Sequence, residues 1–240
     1  MANSYFRFKE FTVHQEHCAM KVCTDACIQG AFTAQYLASG DLTVRAILDI
    51  GAGTGLLSLM LAQQVAAAIT AVELDAGAAL QARENFAASP WAARLTLREQ
   101  DIRSMAASEQ YDVIITNPPF YEAALKSGDT QKDQAMHATT LSYRELITAI
   151  AAHLKPEGVF SVLLPYVQFG EFRQLAEAAG FHLRRLLELR QSVKHGYFRA
   201  VGIFSKTGGE TDRSELSVYD ENNVYTLPFV HLLQPYYLYL

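Results

Sequence analysis

Long apolar runs are missing from this 240-residue chain. No stretch reaches the roughly 20 residues needed to cross a bilayer. The first ten positions mix Arg7, Lys9 and Glu10 with aromatics instead of forming a signal-peptide core. The expected compartment is therefore the cytoplasm. Cysteine is scarce: Cys18, Cys23 and Cys27 are an odd number in a chain without an export signal, which argues against a disulfide framework. They form no CxxC pair, and a zinc site would have to borrow a ligand such as His14 or His17, so no metal is expected. Positive charge is also in deficit, with 20 Lys and Arg against 25 Asp and Glu. A protein that grips nucleic acid only by neutralising phosphates is usually basic. Either the partner is not nucleic acid, or the cations gather on one face. Internal repeats and low-complexity linkers are absent as well.

What is present is a regular alternation. Hydrophobic residues make up 50% of the chain, enough for one sizeable core. From Arg45 onward, strand-like runs fall at Ala46–Ile50, Ile69–Leu74, Leu95–Leu97, Tyr111–Thr116, Val159–Leu164, Leu183–Leu189 and Ala200–Ser205. Helical segments separate them at Leu56–Ala68, Ala76–Ala88, Leu141–Leu154 and Glu171–Ala179. This pattern predicts an α/β fold, a mostly parallel sheet with helices on both faces. The expected organisation is a single domain: an extension over 1–44, a core over 45–206 and a tail over 207–240. In such sheets ligands lie beyond the carboxyl ends of the strands, and each motif below falls at one.

Asp49-Ile50-Gly51-Ala52-Gly53-Thr54-Gly55 follows the first core strand and opens a helix. Glycines let the backbone turn tightly and approach a ligand closely. The spacing is GxGxG rather than the GxGxxG of dinucleotide sites, and the preceding acid would repel a pyrophosphate. Asp49 with Gly51, Gly53 and Gly55 resembles the first motif of S-adenosylmethionine methyltransferases. Glu73 ends the next strand, where a carboxylate can accept both ribose hydroxyls of an adenosine; Asp75 reads as the cap of the following helix. Asp101-Ile102 follows the third strand. By the same resemblance, Asp101 would accept the cofactor's adenine amino group and Ile102 would offer its backbone N–H.

Asn117-Pro118-Pro119-Phe120 decides the reading. It resembles the (D/N/S)PP(Y/F) signature of methyltransferases that act on amino nitrogens. Such a nitrogen has its lone pair delocalised into the ring and is a poor nucleophile. The Asn117 side-chain oxygen and the Pro118 carbonyl can both accept its N–H bonds. Consecutive prolines fix φ and pre-place those acceptors. Phe120 offers a flat face for an extruded base.

Before the first core strand, Ala19-Met20-Lys21-Val22 and Thr24-Asp25-Ala26 resemble the segment that covers the cofactor's methionine end, with Lys21 toward a carboxylate and Asp25 toward an ammonium. Both are equally readable as ordinary surface and cap residues. Phe8-Lys9-Glu10-Phe11, Ser89-Pro90-Trp91-Ala92, Tyr225 and Tyr236-Tyr237-Leu238-Tyr239 extend the likeness over nearly the whole chain. It resembles the bacterial tRNA(Val) adenine N6-methyltransferase family, although Cys23 and Ala26 stand where that family usually shows Gly. The resemblance implies a Rossmann-like class I methyltransferase fold, S-adenosylmethionine as cofactor, and an adenine of tRNA just 3′ of the anticodon as substrate. It gives the catalytic role to Asn117, Pro118 and Phe120, and lets Asn117 touch the cofactor as well. For docking tRNA, Arg190, Lys194 and Arg199 are the candidates. They belong to a stretch, Arg184 to Lys206, with six cations and the single acid Glu188, which reads equally as a solvated basic strand. Other amino nitrogens (a guanine of ribosomal RNA, a glutamine of a release factor) and a non-catalytic nucleotide-binding protein are the alternatives.

Overall fold

A computed structural model describes residues 3–18, 20–39, 42–118 and 141–240. A small hairpin of β1 (Tyr5–Arg7) and β2 (Thr12–His14) leads into α1 (Thr24–Ser39). The core then alternates: β3 (Ala46–Ile50), α2 (Leu56–Gln64), β4 (Ala68–Glu73), α3 (Ala76–Ala87), β5 (Leu95–Glu99), β6 (Tyr111–Thr116), α4 (Tyr143–His153), β7 (Leu154–Pro165), α5 (Tyr166–Ala178), β8 (His182–Ser192) and β9 (Tyr197–Ser205). Two further elements close the chain, β10 (Asp212–Tyr219) and α6 (Leu227–Leu233).

Among the described residues one sheet of eight strands carries the fold, in the order β10-β8-β9-β7-β6-β3-β4-β5. Strands β3 to β7 pair in parallel, β9 runs antiparallel to both β7 and β8, and β10 lies parallel to β8. The strand order turns around β3, so the carboxyl ends of β3, β4 and β6 face a common crevice.

The central strands are apolar on both sides because helices cover both. Every residue of β6 is buried, as expected for a parallel strand between two helical layers. Their side chains divide with a period of two. Ile47, Val113 and Ile115 join the layer of α1, α2 and the aromatics Phe8, Phe229 and Tyr236. Leu48, Ile114 and Phe160 join the layer of α4 and α5, with Phe172 and Phe204. Helix α4 begins at a capping box in which Ser142 and Glu145 satisfy each other's backbone N–H groups.

The segment that reads in sequence as a tail instead completes the sheet. β10 adds an edge strand whose first four residues are exposed, so its alternation carries little apolar signal. The two termini also meet: Phe8 bridges Tyr237 and the Lys9 N–H donates to the Tyr236 carbonyl. Phe6, Phe8 and Tyr237 pack ring against ring, while Phe11 stacks on Phe8 and meets Trp91 edge-on. The aromatics scattered over both ends of the sequence are thus one cluster.

Candidate active site

A pocket of about 260 Å³ opens at the carboxyl ends of β3, β4, β5 and β6. Its floor is the glycine loop. Gly51, Gly53 and Gly55 all have positive φ, at 73°, 56° and 80°, a region other residues enter only with strain. Gly55 is required twice over, since a Cβ there would run into the Phe86 ring. The Gly53 N–H donates to Glu73 Oε2 at 2.8 Å, and the N–H groups of Leu74 and Asp75 donate to Oε1 at 2.8 and 2.9 Å. Three backbone donors therefore fix the Glu73 carboxylate at the pocket wall, two on Oε1 and one on Oε2, which leaves Oε2 one lone pair for a hydroxyl. Asp75 caps α3 through the Ala78 N–H, in keeping with its place in the sequence.

The end of β6 is held from both sides. The Thr116 hydroxyl donates to the Ile50 carbonyl at 2.9 Å, tying β6 to β3. From α1, the fully buried Gln29 donates its Nε2 to the Thr116 carbonyl, also at 2.9 Å. The next residue, Asn117, lines the pocket beside Pro118. Its Oδ1 is buried and has no hydrogen-bond partner among the described residues. A buried amide oxygen left unpaired costs free energy comparable to a lost hydrogen bond.

The donor set fits an adenosine with a cationic end better than one with a pyrophosphate. Glu73, Asp75 and Asp101 line the pocket, and Arg103 is the basic lining residue. Its guanidinium is engaged by Asp101 Oδ2 at 2.5 Å and by Glu145 Oε1 at 3.1 Å. Apolar walls come from Ile50, Val72 and Ile102.

A family model described as methyltransferase small domain matches residues 31–184. A tRNA1(Val) (adenine(37)-N6)-methyltransferase of Dyadobacter fermentans is 44% identical over 98% of both chains. Proteins of the same name from Klebsiella pneumoniae and Cytophaga hutchinsonii are 39% and 40% identical, covering 98% and 99% of this chain and 95% and 99% of their own. The chain belongs to this methyltransferase family. Solved structures agree on the fold. A predicted O-methyltransferase from Agrobacterium tumefaciens superposes with a TM-score of 0.65 at 17% identity, over 88% of this chain and 96% of that one. A glycopeptide N-methyltransferase solved with S-adenosylmethionine gives 0.54 at 14% identity, over 73% and 93%.

In this methyltransferase the residues singled out by sequence divide into two sets. Gly51, Gly53, Glu73, Asp101, Ile102, Asn117 and Pro118 converge on the pocket. Phe120 and Pro119 lie outside the described residues, as does Ala19. Asp49 does not line the pocket. It is fully buried behind the glycine loop, where its Oδ2 accepts the Ser58 N–H at 3.1 Å and the Ser58 hydroxyl at 2.7 Å. Burial pushes its carboxyl up to about 7 against the pull of those bonds. Gly55 likewise packs against Phe86 and starts α2. Asp101 lines the pocket, but Arg103 grips its carboxylate and holds it below the usual range, so any ligand amino group must share that carboxylate.

The cover segment is engaged elsewhere. Lys21 donates to the Gln15 carbonyl, and Thr24 shares a hydrogen bond with Tyr237. Asp25 Oδ2 accepts from Arg199 Nε at 2.9 Å. Two residues expected at different partners, one at the cofactor and one at RNA, thus hold each other. The basic stretch is similarly offset. Arg190 pairs with Glu215 and Arg185 with Asp212, both acids coming from β10, and Lys194 donates to the Glu221 carbonyl. Cys18, which reads in sequence as a bland buried side chain, lines the pocket, where burial raises its thiol. Gln29 belongs to no motif. Its one signal in the sequence is a lone amide within the apolar run Cys27-Ile28-Gln29-Gly30-Ala31-Phe32.

Proposed function

We propose that this enzyme transfers a methyl group from S-adenosylmethionine to N6 of an adenine in tRNA, the one at position 37 of tRNA1(Val) that its relatives' names specify. The observation that carries the reading is Asn117, a residue of a pocket whose acids suit an adenosine, with a buried Oδ1 that has no partner among the described residues. Bound there, S-adenosylmethionine supplies an electrophilic methyl group. Glu73 would accept a ribose hydroxyl, and Ile102 and Val72 would pack the adenine of the cofactor. The Asn117 Oδ1 and the Pro118 carbonyl accept the two N–H bonds of the target amino group, which frees the nitrogen lone pair from the ring. No strong general base is needed, because the methylated nitrogen is cationic and gives up its proton readily to water. Asn117 works by position and electrostatics.

Among the described residues no helix is long and apolar enough to cross a membrane, and a tRNA substrate supports the cytoplasm as the compartment. Arg190 and Lys194 are proposed to reach phosphates, since their present partners sit on exposed turns and edges, and Arg199 to do so at the rim. The test is incubation with labelled cofactor and unmodified tRNA, followed by nucleoside analysis. N6-methyladenosine is expected. Label in a different nucleoside of the tRNA, or in none, overturns the assignment.

A further inference from the structure

The sheet has two rims, and they differ. At the amino ends of β6, β8 and β10, the turns are 106–110, 179–181 and 206–211. None carries an exposed large apolar side chain. At the opposite rim, where Asn117 sits, every outer turn does. Tyr166 and Val167 follow β7, Val193 follows β8, Phe198 is the second residue of β9, and Val224 and Tyr225 follow β10. Val167 is 90% exposed, Tyr166 and Phe198 38% each. They lie along the ends of four neighbouring strands, in a strip that follows the order β7-β9-β8-β10. Tyr166 and Tyr197 are 5.2 Å apart by ring centroid. Arg190 lies over the Tyr197 ring at 5.6 Å and Arg199 over Phe198 at 5.4 Å. Pro165, the last residue of β7, is the register partner of Arg199. With strands about 4.8 Å apart, the strip runs roughly 19 Å outward from the Asn117 strand to β10.

Exposed aromatic rings flanked by guanidinium groups, on the same rim of the sheet as Asn117, match one kind of ligand, unpaired nucleotides. Every base has a π-face, and stacking on an aromatic is worth about 1–3 kcal/mol per base. We propose that the rim from Tyr166 through Phe198 is a stacking platform for unpaired nucleotides flanking the target adenine, so that the RNA is held by its bases as much as by its phosphates. This rests on the tRNA reading above. It also accounts for how an acidic protein whose cations are largely paired can hold an RNA. Bases stacked on aromatics are gripped without counterion release.

The experiment measures the tRNA KM with unmodified tRNA1(Val) transcript, across a salt series, for wild type and for Phe198→Ala, Phe198→Leu, Phe198→Trp and Tyr166→Ala. Calorimetric affinity for S-adenosylmethionine reports that each variant is folded. Phe198→Ala and Phe198→Leu should raise KM on the order of 5- to 100-fold, Phe198→Trp should stay near wild type, and the salt slope should not change. Tyr166→Ala should act in the same direction. If leucine serves as well as phenylalanine, the face is apolar packing and the platform is wrong. If KM is unmoved while wild type methylates the transcript, the platform is wrong and the function stands. If wild type methylates no tRNA at all, the function reading falls and takes the platform with it.

Discussion

The inner half of the sheet, β3 to β6, and the outer half, β7 to β10, meet their polar groups in opposite ways. In the inner half nearly everything is consumed internally: Glu73 by three backbone N–H groups, the Thr116 carbonyl by Gln29, Ser58 by Asp49. Left over among the described residues are a few buried acceptors, Asn117 Oδ1, Gln29 Oε1, Asp49 Oδ1 and Gln63 Oε1. In the outer half the charges are exposed and pair across strands, and apolar faces point to solvent at one rim. One half is built to fix a small ligand and a reacting nitrogen. The other presents surface to something large.

The sharpest way to break this contrast is at Asn117. Asn117→Ala should leave cofactor affinity nearly intact and cut single-turnover methylation on the order of 10²–10³-fold, the cost of one aimed hydrogen-bond partner. Asn117→Asp still accepts and should keep more activity. A wild-type rate for the alanine variant means the leftover acceptor is not used. Glu73→Ala should act on the other ligand, weakening S-adenosylmethionine by about 1.5–3 kcal/mol in a calorimetric titration. Unchanged affinity would remove Glu73 from the ribose site.

Gln29 tests whether acceptor and support are separable. Gln29→Leu removes its hydrogen bond to the Thr116 carbonyl and should lower turnover on the order of 10-fold by letting the Asn117 segment shift, with cofactor affinity held. Gln29→Glu supplies the readout that a packing role would not. A buried glutamic acid has a raised pKa. Protonated, it donates to the Thr116 carbonyl; ionised, it repels it. Turnover of that variant relative to wild type should therefore rise as pH falls. A pH-independent ratio would reduce Gln29 to a core residue.

What is legible in the sequence follows the same division. Gly51, Gly53, Glu73, Asp101 and Asn117 can be placed because each sits at or just after the end of a strand-like run, and backbone connectivity alone carries it to the crevice. Short-range features are equally plain: Asp75 caps its helix and β6 spans Tyr111–Thr116, as the local pattern predicts. Long-range partners are not legible. The stretch Arg184 to Lys206 reads as a cationic patch because Asp212 and Glu215 lie beyond a glycine turn, and only the parallel pairing of β10 with β8 brings them alongside. Asp25 and Arg199 are far apart in sequence and joined by the fold. The glycine motif points Asp49 toward the ligand, whereas strand alternation turns its side chain inward under the glycine loop.

That inward turn yields an effect on stability rather than on turnover, and a distinctive one. Buried without a counter-cation, the Asp49 carboxyl titrates at about 7 in the folded protein, against roughly 3.9 in an unfolded chain. Its raised pKa means the folded state prefers the proton. The stabilising contribution of the protonated form is complete below the unfolded value and is lost as pH rises through the folded one. Asn at this position keeps an acceptor for Ser58 and cannot ionise. The stability of wild type relative to Asp49→Asn should therefore decline steadily from about pH 4 to about pH 7 and level off above it. Acids with depressed pKa values, such as Asp101 held by Arg103, lose their contribution in the opposite direction, as pH falls. They are common to both proteins and cancel in the difference. Urea unfolding at several values between pH 5 and 8 measures it. A difference that does not change with pH would mean the Asp49 carboxylate is solvated after all, and the inner half is less closed than its hydrogen bonds imply.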